Sequence, residues 1–145
     1  MAKVLIKKLN PDVEIPTYKT NGASGMDLMA FIKEPIRIVP NSSYLVPTGL
    51  SMAFLEDYEV QIRPRSGLAA KKNITVLNTP GTIDSDYRGE IKIILYNHGK
   101  EDFLINNKDR VAQMVLVPIV KMELEETDNL PDTLRGEGGF GSTGK

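Results

Sequence analysis

Residues 58–63 spell YEVQIR, a stretch in which polar and apolar side chains alternate. This period of two is typical of a β-strand that buries one face. The alternation returns in residues 90–93, EIKI, and short apolar runs bounded by Pro and Gly occupy much of the remaining chain. Such punctuation indicates turn-linked antiparallel strands rather than strands joined by helices. The pattern therefore predicts an all-β fold, either closed or sandwiched.

One segment has a helical composition instead. Residues 66–73, SGLAAKKN, place Ser66 as an N-cap ahead of Ala and Lys residues, which predicts one short helix. The N-terminus of a helix presents unpaired N–H groups, so Arg65, the Ser66 hydroxyl and the Gly67 amide could together bind an anion. Taken alone, the segment favours an ordinary capped helix with a solvated arginine.

Length and composition exclude several classes of function. The 145 residues fit one domain with one core. The 18 basic and 19 acidic residues leave no charge excess that would favour nucleic acid or a membrane surface as a partner. No Cys and a single His exclude thiol catalysis, disulfides and Cys- or His-rich metal sites. The first apolar run is too short for a secretory segment or a spanning helix, so we expect an untargeted, cytoplasmic protein.

Residues 78–90, NTPGTIDSDYRGE, join two strong strands and concentrate carboxylates. Their D-x-D spacing is not that of a calcium loop, because Arg88 and Leu95 stand where oxygen ligands would be needed. A hairpin whose Asp side chains form local turns is one interpretation. In the other, Asp84 follows Ile83 in a strand-like position and acts as a general base.

Two further segments carry isolated polar residues. In residues 22–30, GASGMDLMA, Asp27 follows a glycine-rich turn, and the segment alone predicts a turn Asp bonded to backbone amides. Residues 110–119, RVAQMVLVPI, predict a core strand whose apolar face is interrupted by Arg110 and Gln113. Polar side chains in such a strand either point outward or reach into a site.

The C-terminal part has a different composition. Residues 121–134 are acidic and contain Pro, which predicts an exposed linker. Residues 135–145, RGEGGFGSTGK, end in the first letters of a P-loop, but that motif needs a Ser or Thr after the Lys and a following helix. We therefore expect a β-barrel domain over residues 1–125, followed by a linker and mobile arm of the same domain over residues 126–145.

Taken in order, GASGMDLMA, PRSGLA, GTIDSDYRGE, RVAQMVL and RGEGGFGSTG resemble the five motifs of the trimeric deoxyuridine triphosphatase (dUTPase) family. The motifs extend from residue 22 to residue 144, and the visible departure is Met29, where the family commonly has Arg. The resemblance implies a jelly-roll-like β-barrel. It also implies a homotrimer with three active sites, each built from all three subunits.

The implied reaction is hydrolysis of dUTP to dUMP and pyrophosphate, which limits uracil in DNA and supplies dUMP for dTTP synthesis. Mg²⁺ would be bound chiefly by the triphosphate and by water. Asp84 would activate the water that attacks the α-phosphorus, and Tyr87 would pack against the deoxyribose. Uracil would be bound by Asn78, by the backbone of Thr82, Ile83 and Asp84, and by the main chain at Lys92.

The remaining motifs would hold the phosphates. Arg65, Ser66 and Gly67 would bind the phosphate chain from a neighbouring subunit. Gln113 would contact the α-phosphate, and Asp27 would organise Arg65 or the waters of the metal. The arm would close over the triphosphate through five residues: Arg135, Phe140, Gly141, Ser142 and Thr143.

Two alternatives stay open at this point. A dCTP deaminase of the same superfamily would share the fold but would need a carboxylate at C4 of the base. A nucleotide-sensing or partner-binding module would keep the barrel without turnover.

Overall fold

The computed structural model describes residues 2–139, which contain eleven strands and one helix. The strands are β1 (Leu5–Lys8), β2 (Met26–Met29), β3 (Ile36–Ile38), β4 (Ser42–Pro47), β5 (Leu50–Ala53), β6 (Tyr58–Arg63), β7 (Ile74–Val76), β8 (Gly81–Ile83), β9 (Lys92–Asn97), β10 (Phe103–Ile105) and β11 (Arg110–Pro118). The helix is α1 (Ser66–Lys72). The predicted all-β fold with one short helix is confirmed.

Every strand pairing is antiparallel, as the turn-rich spacing predicts. The pairings form a four-stranded sheet in the order β2-β11-β6-β8 and a three-stranded sheet in the order β4-β9-β7. Two smaller sheets pair β1 with β5 and β10 with β3. The strands over residues 2–139 are therefore not closed into a barrel by one continuous ladder of hydrogen bonds.

The alternation in β6 sorts its side chains onto two faces. Val60 and Ile62 are each 3% exposed and belong to the core. Gln61 and Arg63 lie on the opposite face, where the Arg63 guanidinium donates hydrogen bonds to Oε1 of Gln61. The period of two in the sequence thus reflects one buried and one polar face of this strand.

Helix α1 begins one residue earlier than an N-cap at Ser66 would require. Arg65 is the N-cap, in an extended conformation without a side-chain capping bond, so the prediction that Ser66 is the N-cap is wrong. The Arg65 carbonyl accepts hydrogen bonds from the amides of Leu68 and Ala69, which makes it the first acceptor of the helix. Asn73 ends the helix in the left-handed region with φ 56°.

After β11 the chain continues to residue 139 without a strand or helix. Val120, Met122 and Leu124 are 93%, 85% and 85% exposed, so these apolar side chains have almost no cover in the single chain. Over residues 2–139 no helix has the length and apolar character that crossing a membrane requires.

Candidate active site

A cleft of about 450 Å³ opens beside β8. It is lined by Leu45, Thr82, Ile83, Asp84, Tyr87, Glu90, Lys92 and Ile94. Strand β8 is the edge of the four-stranded sheet and pairs only with β6 there. An edge strand presents backbone N–H and C=O groups on its open side. Asp84 follows β8 directly, and its side chain is exposed at the cleft.

Tyr87 folds back over the loop that joins β8 to β9. These two strands belong to different sheets and do not pair, so the interpretation of residues 78–90 as a hairpin is wrong. Its amide donates to the Asp84 carbonyl at 3.1 Å, and its hydroxyl donates to the Glu90 carbonyl at 3.1 Å. The ring lies so close to Gly89 that a Cβ at that position would collide with the ring and the hydroxyl. The phenol ring and the Asp84 carboxylate therefore lie on one short loop.

Asn78 and Lys92 lie at the two ends of this region. Asn78 is exposed in the turn after β7 and does not line the cleft itself, although its side chain lies against Gly81, the first residue of β8. Lys92 begins β9 and lines the cleft, with Nζ 3.7 Å from Oε2 of Glu90. The third motif thus brings most of its predicted base-binding residues to one edge of the sheet.

A second cluster lies at the other end of the same sheet. Asp27, in β2, pairs in register with Gln113 of β11. Its carboxylate accepts from Nε of Arg65 at 2.9 Å through Oδ1 and lies 3.4 Å from Nη1 of Arg110 through Oδ2. The prediction of a turn Asp bonded to backbone amides is wrong, because Asp27 stands in a strand between two arginines.

Gln113 is fixed in the same cluster. Its Nε2 donates to the Pro64 carbonyl at 3.0 Å, and its Oε1 occupies the space where a Cβ at residue 25 would lie, which only Gly25 leaves free. Ser66 and Gly67 are exposed beside the cluster. The structure thus gathers the predicted phosphate-binding residues Arg65, Ser66, Gly67 and Gln113 around Asp27.

The two clusters are far apart in one chain. Ile83 pairs with Val60 of β6, and Arg65 follows Val60 by five residues, just beyond the end of that strand. At about 3.3 Å per residue, Val60 and Arg65 are therefore separated by roughly 17 Å along the chain. The Arg65 side chain turns further away, because it binds Asp27 on β2 while β8 lies at the other edge of the sheet. One subunit therefore does not bring Arg65 to Asp84.

Two charged residues of these clusters, Arg110 and Glu90, were not assigned to the site from the sequence. Arg110 was noticed only as an interruption of an apolar strand, and its contact with Asp27 depends on the pairing of β11 with β2. Glu90 was noticed only as part of a hairpin, although it lines the cleft. A charged residue at the end of a strand that borders a carboxylate-rich turn is the signal that could have found it.

No group of three or more His, Cys, Asp or Glu side chains that could hold a metal ion occurs within residues 2–139. In the arm, Arg135 donates from Nε to the Gly138 carbonyl at 2.8 Å. Phe140, Gly141, Ser142 and Thr143 lie outside the described residues, so the structure gives no account of them.

The fold and the two clusters define an all-β protein with a carboxylate-bearing cleft and a separate arginine cluster. The dUTPase family model matches residues 11–144, and the chain belongs to this family. It is 56% identical to the deoxyuridine 5'-triphosphate nucleotidohydrolase of Nautilia profundicola, over 99% of both chains.

Solved structures are similar in fold. The dUTPase of Staphylococcus bacteriophage 80alpha with dUPNHPP has a TM-score of 0.84 and 24% identity, over 99% of both chains. A mutant dUTPase from phage phi11 of S. aureus, described for the coordination of a structural Mg(II) ion, has a TM-score of 0.80 and 20% identity, over 90% of this chain and 99% of that chain. These likenesses confirm the jelly-roll-like fold that the motifs imply.

Proposed function

We propose that this chain hydrolyses dUTP to dUMP and pyrophosphate, with Asp84 as the residue that activates water. The observation that carries the proposal is an exposed Asp84 carboxylate in the cleft beside Tyr87, in a member of the dUTPase family. Asp84 accepts a proton from the water that attacks the α-phosphorus. The bond between the α-phosphorus and the oxygen that bridges it to the β-phosphorus breaks, and pyrophosphate leaves with that oxygen. Positioned proton transfer of this kind is worth about a hundred- to ten-thousand-fold in rate.

Base selection rests on the open edge of β8. Uracil has an acceptor at O4 and a donor at N3, whereas cytosine has an amino donor at position 4 and an acceptor at N3. Fixed backbone groups of Thr82, Ile83 and Asp84 cannot follow that exchange, whereas the Asn78 amide could rotate to do so. The backbone therefore carries the selection, and Asn78 and the main chain at Lys92 add contacts. The pairing of β8 with β6 on its other side supports a rigid edge.

Sugar selection rests on Tyr87. Its ring packs against the deoxyribose at the place that a 2′-hydroxyl would occupy. The support is its fixed position over Gly89, held by the hydrogen bond to the Glu90 carbonyl.

Phosphate binding rests on the second cluster. The guanidinium of Arg65, the hydroxyl of Ser66 and the amide of Gly67 bind the phosphate chain, and Gln113 contacts the α-phosphate. Asp27 orients Arg65, which the 2.9 Å contact supports. Charge-assisted hydrogen bonds of this type are stronger than neutral ones.

A homotrimer with shared sites reconciles the two clusters. Hydrolysis needs Asp84 and Arg65 at one phosphate chain, but a single subunit holds them roughly 17 Å apart along β6. A second subunit that presents its own Arg65 cluster to the cleft removes this conflict. Closed cyclic symmetry then gives each subunit one complete site.

The third subunit contributes the arm. Val120, Met122 and Leu124 alternate with charged residues along the sequence, and all three apolar side chains are exposed. This pattern supports an extended segment that packs on another subunit. Beyond it, Arg135, Ser142 and Thr143 contact the terminal phosphate, Gly141 lets the backbone approach it, and Phe140 lies against the base. Residues 126–145 form the linker and arm in this proposal. The last strand ends earlier, at Pro118.

The donors fit a Mg²⁺ ion that is bound by phosphate oxygens and water. Both oxygens of Asp27 face guanidinium groups, and Asp84 is assigned to the attacking water, so neither carboxylate is proposed as a ligand of the ion. Mg²⁺ commonly keeps several waters and needs few protein ligands when phosphate oxygens bind it. The ion neutralises charge on the phosphates when it is bound. The phage phi11 protein coordinates a Mg(II) ion that is structural, a different role from the one proposed here. In the cytoplasm the reaction would limit uracil in DNA and supply dUMP for dTTP synthesis.

The test is pyrophosphate release from dUTP, dCTP, dTTP and UTP with Mg²⁺, using the wild type and Asp84→Asn. Release from dUTP alone, and its loss in the variant, is the expected result. Ammonia release from dCTP would indicate a deaminase instead. Tight dUTP binding without any product would indicate a binding module.

A further inference from the structure

Glu90 forms contacts on two sides at the end of the loop between β8 and β9. Its carbonyl oxygen accepts the hydrogen bond from the Tyr87 hydroxyl at 3.1 Å. Its side chain points to the turn between β4 and β5, where Oε1 accepts from the Gly49 amide at 2.9 Å. The other carboxylate oxygen lies 3.7 Å from Nζ of Lys92. One residue therefore links the phenol ring to the buried frame of the fold.

The frame behind Glu90 is rigid. The amide of Ile91 donates to the Leu50 carbonyl at 2.8 Å. The hydroxyl of Thr48, a residue only 1% exposed, donates to the Ile91 carbonyl at 2.6 Å. Buried hydrogen bonds of this kind fix the backbone because breaking one leaves unsatisfied polar groups.

Tyr87 lacks such support of its own. It is 45% exposed, and a half-exposed ring is held only in part by packing. Its ring lies against the Gly89 backbone, and its hydroxyl donates to the Glu90 carbonyl. The position of the ring therefore depends on where the Glu90 peptide is held.

We propose that Glu90 is a positioning residue for the preference between deoxyribose and ribose, and that it acts by anchoring the Tyr87 hydroxyl through its own bond to Gly49. This inference rests on the proposed hydrolysis of dUTP. A ring that is free to shift leaves room for the 2′-hydroxyl of UTP. Loss of the anchor thus lowers selectivity more than it lowers the chemical step, because Asp84 is not touched.

Three substitutions of Glu90 distinguish the effect of its side-chain length from the effect of its charge. Glu90→Ala removes the acceptor, and Glu90→Asp keeps the charge but is too short to reach the Gly49 amide. Glu90→Gln keeps an oxygen acceptor at the same length and loses the charge that faces Lys92. The matched control is Glu34→Ala, an exposed acid in the connection between β2 and β3.

The measured quantity is the ratio of kcat/KM for dUTP to kcat/KM for UTP. We expect this ratio to fall about tenfold in Glu90→Ala and Glu90→Asp, the effect of one lost hydrogen bond. It should stay near the wild-type value in Glu90→Gln and in the Glu34→Ala control. Thermal unfolding of each variant checks that the chain is folded, and Glu90→Asp serves as the test if Glu90→Ala does not fold.

A double substitution tests the route through Tyr87. In a Tyr87→Phe background the hydroxyl is absent, so Glu90→Ala should lower the ratio no further. Independent effects of the two substitutions would overturn the inference, as would an unchanged ratio in Glu90→Ala and Glu90→Asp. A ratio that falls in Glu90→Gln but not in Glu90→Asp would assign the effect to charge and also overturn it. Failure of the proposed function is distinguishable, because the wild type itself would then not hydrolyse dUTP.

Discussion

Arg65 and Asp27 lie 38 residues apart in the chain, yet Nε of Arg65 is 2.9 Å from Oδ1 of Asp27. Both side chains are about three-quarters buried, at 25% and 21% exposure. The carboxylate also faces Arg110, so it sits between two guanidinium groups. A side chain held in this way presents its remaining N–H groups in a fixed direction, which is what the binding of a phosphate chain requires.

Asp27→Asn should therefore lower the catalytic efficiency with dUTP. The amide keeps an oxygen near Arg65 but loses the charge, and we expect kcat/KM for dUTP to fall about tenfold or more. Steady-state kinetics measure the loss, and thermal unfolding checks the fold. The control is Asp102→Asn, whose ion pair with Arg37 is exposed at the surface and should contribute nothing to activity. Equal activity of the two variants would contradict the role of Asp27.

Asp84→Asn should bind dUTP but not turn it over. The amide cannot accept the proton of the attacking water, so we expect kcat to fall about a hundred- to ten-thousand-fold. Calorimetric titration with dUTP and an assay of pyrophosphate release separate the two effects. Asp86→Asn, in the same exposed loop, is the matched control and should keep its activity. Unchanged hydrolysis by Asp84→Asn would remove this residue from the mechanism.

The sequence was sufficient for elements whose signal is local. The alternation in YEVQIR predicted β6, and the alternation in EIKI predicted the beginning of β9, because each strand buries alternate side chains. Strand β2 was not predicted, since MDLM is short and its Asp resembles a turn residue. The position of Asp27 opposite Gln113 depends on strand pairing over a long sequence distance, and no local pattern encodes that register. For the same reason Arg110 was not assigned to the site.

The ion pair of Glu14 and Lys108 predicts a specific titration. The hydrogen bond from Lys108, 2.6 Å long, and its positive charge hold the pKa of Glu14 below its ordinary value of 4.5. A lowered carboxyl pKa stabilises the fold above the ordinary pKa, and this contribution is lost as the pH falls through the lowered value. Lys108→Gln should therefore raise the pKa of Glu14 towards 4.5.

An NMR titration of the Glu14 carboxyl measures this change. The difference in stability between the wild type and Lys108→Gln should shrink as the pH falls below 4.5. Lys100→Gln, which removes an exposed lysine elsewhere, should leave the Glu14 titration unchanged. The same titration curve in Lys108→Gln and in the wild type would show that the pair does not persist in solution.

Truncation after Leu134 should leave a folded protein with much lower turnover. Residues 135–137, at the start of the removed segment, are exposed, so their loss takes little from the core. Loss of Arg135 and of the residues that follow it removes the proposed contacts with the terminal phosphate, and we expect kcat/KM to fall at least about tenfold. Circular dichroism checks the fold, and deletion of Lys145 alone is the control. Full activity after truncation would exclude a role for the arm.

Mixed assemblies test whether the sites are shared. Asp84→Asn and Arg65→Ala should each be nearly inactive alone, because each removes one of the two clusters. In a trimer, a site needs Asp84 from one subunit and Arg65 from another. Random mixing of equal amounts of the two variants should then restore about a quarter of the wild-type sites.

The matched control mixes Asp84→Asn with Asn78→Ala. Both residues lie in the part of the site that one subunit supplies, so no site in a mixed assembly has both an intact Asp84 and an intact Asn78. This mixture should therefore be no more active than the average of the two variants measured alone. Light scattering gives the mass of each assembly, and pyrophosphate release gives the activity after the subunits have been co-expressed. If Asp84→Asn and Arg65→Ala fail to restore activity in a confirmed mixed trimer, the two residues do not act on one substrate from different subunits. Restoration in this pair, without restoration in the control, requires that the cleft of one chain be completed by the arginine cluster of the next.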